Sequence, residues 1–299
     1  MNYRHAFHAG NFADVLKHAV LARVIDYMKR KQAPFRVVDT HAGIGRYDLR
    51  SLEAGKTGEW QLGIGRLMGP GRVEISGPAH ALLAPYLDAV SAENGGGPLQ
   101  LYPGSPRLAL RLMRACDRLV ANELHPEDAA ALKALLARER RARVTTLDAW
   151  VALRAFLPPK ERRGIVLIDP PFEAPGELER IAAGLADGLA RFATGTFMAW
   201  YPIKDFKEVE RWQRTLAALA TDKLISVDLL LRKPADKDRL NGCGLVILNA
   251  PYTLKDELAV LLPELVRVLS DDCHGYFKMT DRFTGTASQR PGSWQQKRD

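Results

Sequence analysis

Gly164-Ile-Val-Leu-Ile-Asp169-Pro170-Pro171-Phe172 is the stretch that decides how this chain folds. An apolar run of buried-strand length stops on an acid, two prolines and an aromatic, and is predicted to be a central strand of a parallel sheet. Ligands of open α/β sheets bind just outside the carboxyl ends of such strands, so Asp169 arrives where chemistry takes place. The prolines fix φ and remove two backbone donors, which leaves the Pro170 carbonyl available to a ligand. Phe172 adds a flat apolar face. A carboxylate, a free carbonyl and an aromatic plane on one rigid turn suit a planar exocyclic amine, whose N–H groups the oxygens accept while its ring is stacked. The same residues also read as an ordinary strand exit, because proline punctuates loops generally.

The tetrapeptide resembles the [D/N]-P-P-[Y/F/W] signature of S-adenosyl-L-methionine (SAM)-dependent methyltransferases that act on amino nitrogens. Residues 35–49 supply a second half-site. Phe35-Arg-Val-Val-Asp39 reads as a strand entering Thr40-His41-Ala42-Gly43-Ile44-Gly45, where Gly43 and Gly45 let backbone approach a ligand closely. A first strand ending in an acid before a Gly-x-Gly turn is the nucleoside-binding corner of a doubly wound sheet. The third glycine of a dinucleotide fingerprint would fall at Asp48. SAM has no pyrophosphate to be cradled, so this departure favours SAM over NAD.

Two further strand ends lie between these motifs. Arg118-Leu-Val-Ala-Asn122-Glu123 ends in a carboxylate suited to ribose hydroxyls, and Arg143-Val-Thr-Thr-Leu147-Asp148-Ala149 in one suited to an adenine amino group. Each also reads as the N-terminus of the helix that follows, where acids and proline are favoured. Four strand ends in this order make the cofactor reading the stronger one.

The 299 residues can bury a large core without staples. Cys116, Cys243 and Cys273 are far apart and form no C-x-x-C, and no apolar leader or membrane-length run is visible, so a cytosolic chain is expected. Lys plus Arg 43 against Asp plus Glu 35 gives a formal charge of +8, a field that attracts polyanions. Basic residues gather at 29–31, 138–143, 160–163 and 232–239; each group alone reads as a solvated surface, and several on one face would read as a phosphate track.

Helical patterns are predicted at 11–31 with Asn11 as cap, 58–68, 78–93, from Ser105, and near 126–138, 176–193 and 205–220. Strands are predicted at 99–102, 195–201, 224–232 and 243–249. The resulting organisation is a methyltransferase domain over 1–49 and 99–275, an inserted helical subdomain over 50–98, and a basic, mobile tail over 276–299. Three other motifs are set aside. Ala54-Gly55-Lys56-Thr57 has Arg50 where a phosphate loop needs glycine, Asn249-Ala250-Pro251-Tyr252 follows the last sheet strand and lacks a second proline, and His5, His8, His18 and His41 match no metal-ligand spacing. No metal is expected.

The stretches Tyr3-Arg-His-Ala-Phe-His-Ala-Gly10-Asn11-Phe-Ala-Asp-Val-Leu-Lys17-His18, Asp39-Thr-His41-Ala-Gly-Ile-Gly45-Arg46-Tyr47, Tyr102-Pro-Gly-Ser105-Pro106, Asn122-Glu123-Leu-His-Pro126, Leu167-Ile-Asp169-Pro-Pro-Phe172 and Trp200-Tyr201-Pro202 together resemble the RlmJ family of bacterial 23S rRNA adenine-N6-methyltransferases, in the same order over residues 1 to about 275. The resemblance implies a Rossmann-like class I SAM-dependent methyltransferase sheet with a small helical insertion, SAM as methyl donor, and one adenine of 23S rRNA as target, free or in an early assembly intermediate, with no obligate protein partner. Cofactor contacts carried over fall on His18, His41, Ser105, Glu123 and Asp148, the proton acceptor on Asp169, and a substrate contact on Tyr3. Phe172 stands where tyrosine is commoner, and Ala149 follows Asp148 where the family often has glycine.

Asp169 and the Pro170 carbonyl are then expected to accept the two N–H groups of adenine N6, with Phe172 and Tyr3 receiving the unstacked base. Adenine-N6 methylation of DNA would use the same catalytic residues, but no separate target-recognition segment follows Asp169. Glutamine methylation usually goes with Asn at the first motif position. A non-catalytic SAM- or RNA-binding module is disfavoured by an intact Asp-Pro-Pro-Phe.

Overall fold

A computed structural model describes residues 4–219, 221, 223–232, 240–270 and 274–281. The strands are β1 (Arg36–Asp39), β2 (Arg46–Asp48), β3 (Leu101–Pro103), β4 (Arg118–Asn122), β5 (Ala142–Thr145), β6 (Gly164–Ile168), β7 (Thr196–Ile203), β8 (Leu224–Leu230), β9 (Gly242–Leu248) and β10 (Tyr276–Asp281). The helices are α1 (Phe12–Lys29), α2 (Leu52–Thr57), α3 (Glu59–Leu62), α4 (Ile64–Met68), α5 (Gly77–Glu93), α6 (Ser105–Leu112), α7 (Pro126–Leu136), α8 (Ala149–Phe156), α9 (Glu177–Arg191), α10 (Phe206–Thr215) and α11 (Leu254–Leu269).

One 8-stranded sheet has the order β10-β8-β9-β7-β6-β1-β4-β5. The strands from β5 to β7 are parallel, and β9 runs antiparallel between β7 and β8. Together with the switch in direction of strand order between β1 and β6, this is the Rossmann-like class I methyltransferase sheet. Every residue of β6 is buried, as a run of Gly, Ile, Val and Leu requires. Side-chain alternation sorts the strands between two layers. Val37, Leu119, Ile165 and Leu167 pack with α1, α5, α6 and α11, whereas Val38, Val120, Val166 and Ile168 pack with α8, α9 and α10.

The first helix starts where its cap was expected. The Asn11 side-chain oxygen accepts from the Ala13 and Asp14 amides at 2.9 and 3.1 Å. Between β2 and β3, which form their own two-stranded ribbon, the chain runs through α2 to α5. Their apolar residues Ile64, Leu67, Leu83 and Tyr86 join the same core as α1 and α11. The single helix expected over 58–68 is split at Gly63, and the strand expected at 99–102 pairs with β2 instead of entering the main sheet.

A second correction concerns the C-terminal region. Tyr276–Asp281 is not part of a polar tail; it is β10, paired antiparallel with β8 from Tyr276↔Leu230 to Asp281↔Ile225. The rest of the expected tail lies outside the described residues, as does the basic run over 233–239.

The strand direction of β9 also explains why Asn249-Ala250-Pro251-Tyr252 is not a second catalytic turn. Because β9 is antiparallel, its carboxyl end lies at the edge of the sheet opposite the exits of β1 and β6. Asn249 there donates to the Ala193 and Gly195 carbonyls at 2.8 Å each and accepts from the Thr221 hydroxyl at 3.0 Å. Asn249→Ala is expected to lower unfolding free energy by about 1–3 kcal/mol, the cost of leaving such groups unmatched. Urea denaturation checks it, and an unchanged midpoint with an unchanged slope would contradict the structural role.

Candidate active site

A cleft of about 570 Å³ opens over the carboxyl ends of β1, β4 and β6. Of the residues singled out in the sequence, it brings together His18, His41, Gly43, Ser105, Glu123, Asp148, Ala149, Asp169, Pro170 and Phe172. Gly45 is not in the lining. It has φ +79, and a β-carbon there would come within 2.8 and 2.9 Å of Leu132 and Leu135, so this glycine serves the packing of the turn against α7. Tyr3 lies outside the described residues.

At one end stands Asp169, at the exit of β6. Its Oδ2 is ion-paired with the Lys17 ammonium, which also meets Asp14 at 2.8 Å. Lys17 is buried. Burial would lower its pKa, but the Asp14 and Asp169 carboxylates outweigh it and hold it well above the ordinary lysine value. Asp14 is likewise held well below the usual carboxylate range: burial opposes this, and His5 and Lys17 overcome it. Phe172 follows with φ 52, a left-handed conformation that costs a bulky residue about 1–3 kcal/mol. In that conformation its ring meets Trp200 edge-on, with centroids 5.7 Å apart at 78°. The turn therefore presents an acceptor beside an aromatic corner.

Toward the other end, polar groups are fixed by the fold around them. His18 Nδ1 is 2.7 Å from the Tyr102 hydroxyl, which is 3.0 Å from that of Tyr86 on α5, so the inserted helices brace this ring. Burial lowers the His18 pKa to about 3 and that of His41 to about 4. Both rings are therefore neutral near pH 7. His41 Nδ1 lies 2.8 Å from the Thr40 hydroxyl and 3.3 Å from the Asp169 amide, which fixes the ring at the exit of β6. His18 Nε2 and Asp39 Oδ2 are enclosed polar atoms without a hydrogen-bond partner among the described residues.

Glu123 accepts from the Gly43 and His125 amides, at 2.8 Å each, one on each oxygen. A carboxylate has about four lone-pair sites, so both oxygens keep acceptor capacity for a ligand. Gly43 has φ +57, and a β-carbon would come within 2.2 Å of the Tyr47 hydroxyl. Asp148 fills the helix-cap role on Oδ1, accepting from the Trp150 and Val151 amides at 3.0 and 3.2 Å, while still lining the cleft.

Sequence reasoning passed over Lys17, Asp14 and Trp200. The signal available was a charged pair at i, i+3 inside an otherwise apolar helix, a pattern that demands a buried partner elsewhere. The four histidines have individual partners: His5 with Asp14, His8 with Glu59, His18 with Tyr102 and His41 with Thr40. Among the described residues no helix is long and apolar enough to cross a membrane.

Residues 32–281 match the family described as Ribosomal RNA large subunit methyltransferase D, RlmJ. The chain belongs to that family. The Ribosomal RNA large subunit methyltransferase J of Escherichia coli (strain K12) is 39% identical over 265 residues, covering 89% of this chain and 92% of the relative. Its namesake from Haemophilus influenzae is 38% identical over 270 residues, covering 90% and 94%. Protein LPL1258 from Legionella pneumophila, known from a crystal structure, superposes with a TM-score of 0.83 at 30% identity, covering 93% of this chain and 99% of that one.

Burial raises the Asp39 carboxyl to about 7. Its folded pKa therefore exceeds its unfolded one, and the neutral form is the one folding favours. The associated stability is fully present below the unfolded pKa near 3.8 and is lost as pH rises through about 7. Over that window Asp39→Asn is expected to gain stability relative to wild type, by on the order of a few kcal/mol. Paired thermal or urea unfolding curves from pH 4 to pH 8 (about the span of the two pKa values) check this. A difference between the two proteins that does not change with pH would contradict the assignment.

Proposed function

We propose that this chain transfers a methyl group from SAM to the N6 nitrogen of one adenine in 23S ribosomal RNA. The observation that carries the reading is the Asp169 carboxylate, held through Oδ2 by Lys17 and set beside the Phe172–Trp200 corner of the cleft. Family membership supports an rRNA acceptor over DNA or protein.

The cleft fits the donor's chemistry. Its volume of about 570 Å³ is in the range for ligands of this size, and the Nε2 of His18, without a partner among the described residues, is a polar atom in want of a ligand. Glu123 would hold the ribose hydroxyls, Asp148 the adenine amino group, and His18, His41 and Ser105 the amino-acid end. Bound SAM supplies an electrophilic methyl group on a sulfonium.

The acceptor's N6 lone pair is delocalised into the purine ring, so the amine is a poor nucleophile until it is oriented. Asp169 Oδ1 and the Pro170 carbonyl accept its two N–H groups and turn the lone pair out of conjugation, while Phe172 and Trp200 confine the unstacked base. Lys17 holds the Asp169 carboxylate through Oδ2 and leaves Oδ1 to the acceptor. A weak base is sufficient, because an exocyclic nitrogen that has gained a methyl group is strongly acidic, and Asp169 takes that proton. Tyr3 is retained as a proposed substrate contact.

Asp169→Asn replaces an acceptor oxygen by a donor at the reacting nitrogen. Single-turnover methylation is expected to fall by roughly 10²–10⁴-fold, with SAM affinity by calorimetry nearly unchanged. Phe172→Ala is expected to weaken productive RNA binding by about 1–3 kcal/mol through lost stacking. Retained single-turnover activity in folded Asp169→Asn would remove Asp169 from the chemistry.

A further inference from the structure

Outside the cleft, one carboxylate gathers more positive charge than it can neutralise. Glu93, at the end of α5, has a side chain only 1% exposed and meets Arg46 of β2 at 3.6 Å and Arg107 and Arg111 of α6 at 3.1 and 2.9 Å. Burial alone would raise the Glu93 carboxyl; hydrogen bonds from Arg107 and Arg111 outweigh it and keep the carboxyl below its ordinary range. The cluster is thus one anion with three guanidinium groups, an excess of two positive charges. The arginine side chains are 44%, 24% and 31% exposed in sequence order, so the excess charge faces solvent.

A clamp between α5 and α6 would be complete with one of these arginines. Three of them, oriented from behind by a buried carboxylate, lose little further freedom on meeting an anion, and a guanidinium fork matches phosphate oxygens. Arg111 spends only Nε on Glu93, and its terminal nitrogens make no hydrogen bond among the described residues. Position is equally telling. Arg46 sits directly before Tyr47, and Arg107 two residues after Ser105, both of which line the cleft. Arg107 and Arg111 share a face of α6, being one turn apart. The cluster therefore lies beside the cleft, on the opposite face of β2 from Tyr47 and around α6 from Ser105.

We propose that Glu93 preorganises Arg46, Arg107 and Arg111 as a docking site for backbone phosphates of the RNA strand that delivers its base to the cleft. This rests on the rRNA reading above. It separates two tasks: the cleft recognises the base, and the arginine cluster fixes the strand's register without reading sequence.

The test is binding of an unmodified 23S rRNA fragment across a salt titration, with SAM affinity and single-turnover methylation measured on the same proteins. Arg46→Gln and Arg111→Gln each leave Arg107 on Glu93, so the buried carboxylate keeps a partner. Each is expected to weaken RNA binding several-fold and to reduce the slope of log affinity against log salt by about one, the signature of one lost phosphate contact. Arg111→Lys should recover most of the slope. SAM affinity and the rate at saturating RNA should stay at wild-type values. A merely structural clamp would lower the thermal midpoint of the glutamine variants and leave the salt slope unmoved, and that result overturns the proposal. If wild type binds and methylates the fragment while the variants keep its slope, the cluster assignment alone fails. If wild type shows no salt-dependent binding to the fragment, the rRNA reading fails with it.

Discussion

The Lys17 ammonium, enclosed between the carboxylates of Asp14 and Asp169, is the interaction on which the site depends. A buried cation is tolerable only when its charge is met and its donors are satisfied, and removing one partner of such a pair costs about 3–5 kcal/mol. Here the compensation is layered. Asp14 also accepts from His5 and from the Gly10 amide, at 2.9 and 2.8 Å, so the charge of α1 is tied to the segment that precedes it as well as to β6. The constraint joins two distant parts of the chain, because Lys17 of α1 meets Asp169 at the exit of β6.

That coupling gives the rest of the cleft its order. With α1 locked under β6, His18 lies one residue along the same helix and is braced from behind by Tyr102 and Tyr86. The helices inserted between β2 and β3 therefore belong to the site's foundations, because Tyr86 of α5 backs the Tyr102 hydroxyl that meets His18, and Glu93 of α5 gathers the arginine cluster on the flank. Burial keeps His18 and His41 neutral and raises Asp39, whereas the carboxylates of Asp14 and Asp169 keep Lys17 charged at the end of the cleft where β6 exits.

Much of the sheet was legible because parallel strands buried on both faces write themselves as continuous apolar runs, and β1, β4 and β6 do so, each ending at a polar residue that enters the cleft or supports it. The Gly43 turn was legible for a related reason: only glycine fits a positive φ beneath the Tyr47 hydroxyl. What was missed has a common cause. β10, at Tyr276–Asp281, is an edge strand held by pairing with β8, by Met279 in the core and by the Lys255–Asp281 and Lys278–Glu210 ion pairs, long-range support that no local pattern announces. Gly45 carries the same local signature as Gly43, and only the position of α7 shows that it packs instead of lining the cleft. Lys17 reads locally as a surface charge; its meaning comes from Asp169, which is 152 residues away.

The central claim is that this site methylates the exocyclic nitrogen of adenine in large-subunit rRNA. The most direct measurement is to incubate the protein with methyl-labelled SAM and unmodified 23S rRNA, digest the RNA to nucleosides and identify the labelled product by chromatography. The account predicts that the label co-migrates with N6-methyladenosine. Label in any other nucleoside, or incorporation only into DNA or protein acceptors offered in parallel, would contradict it.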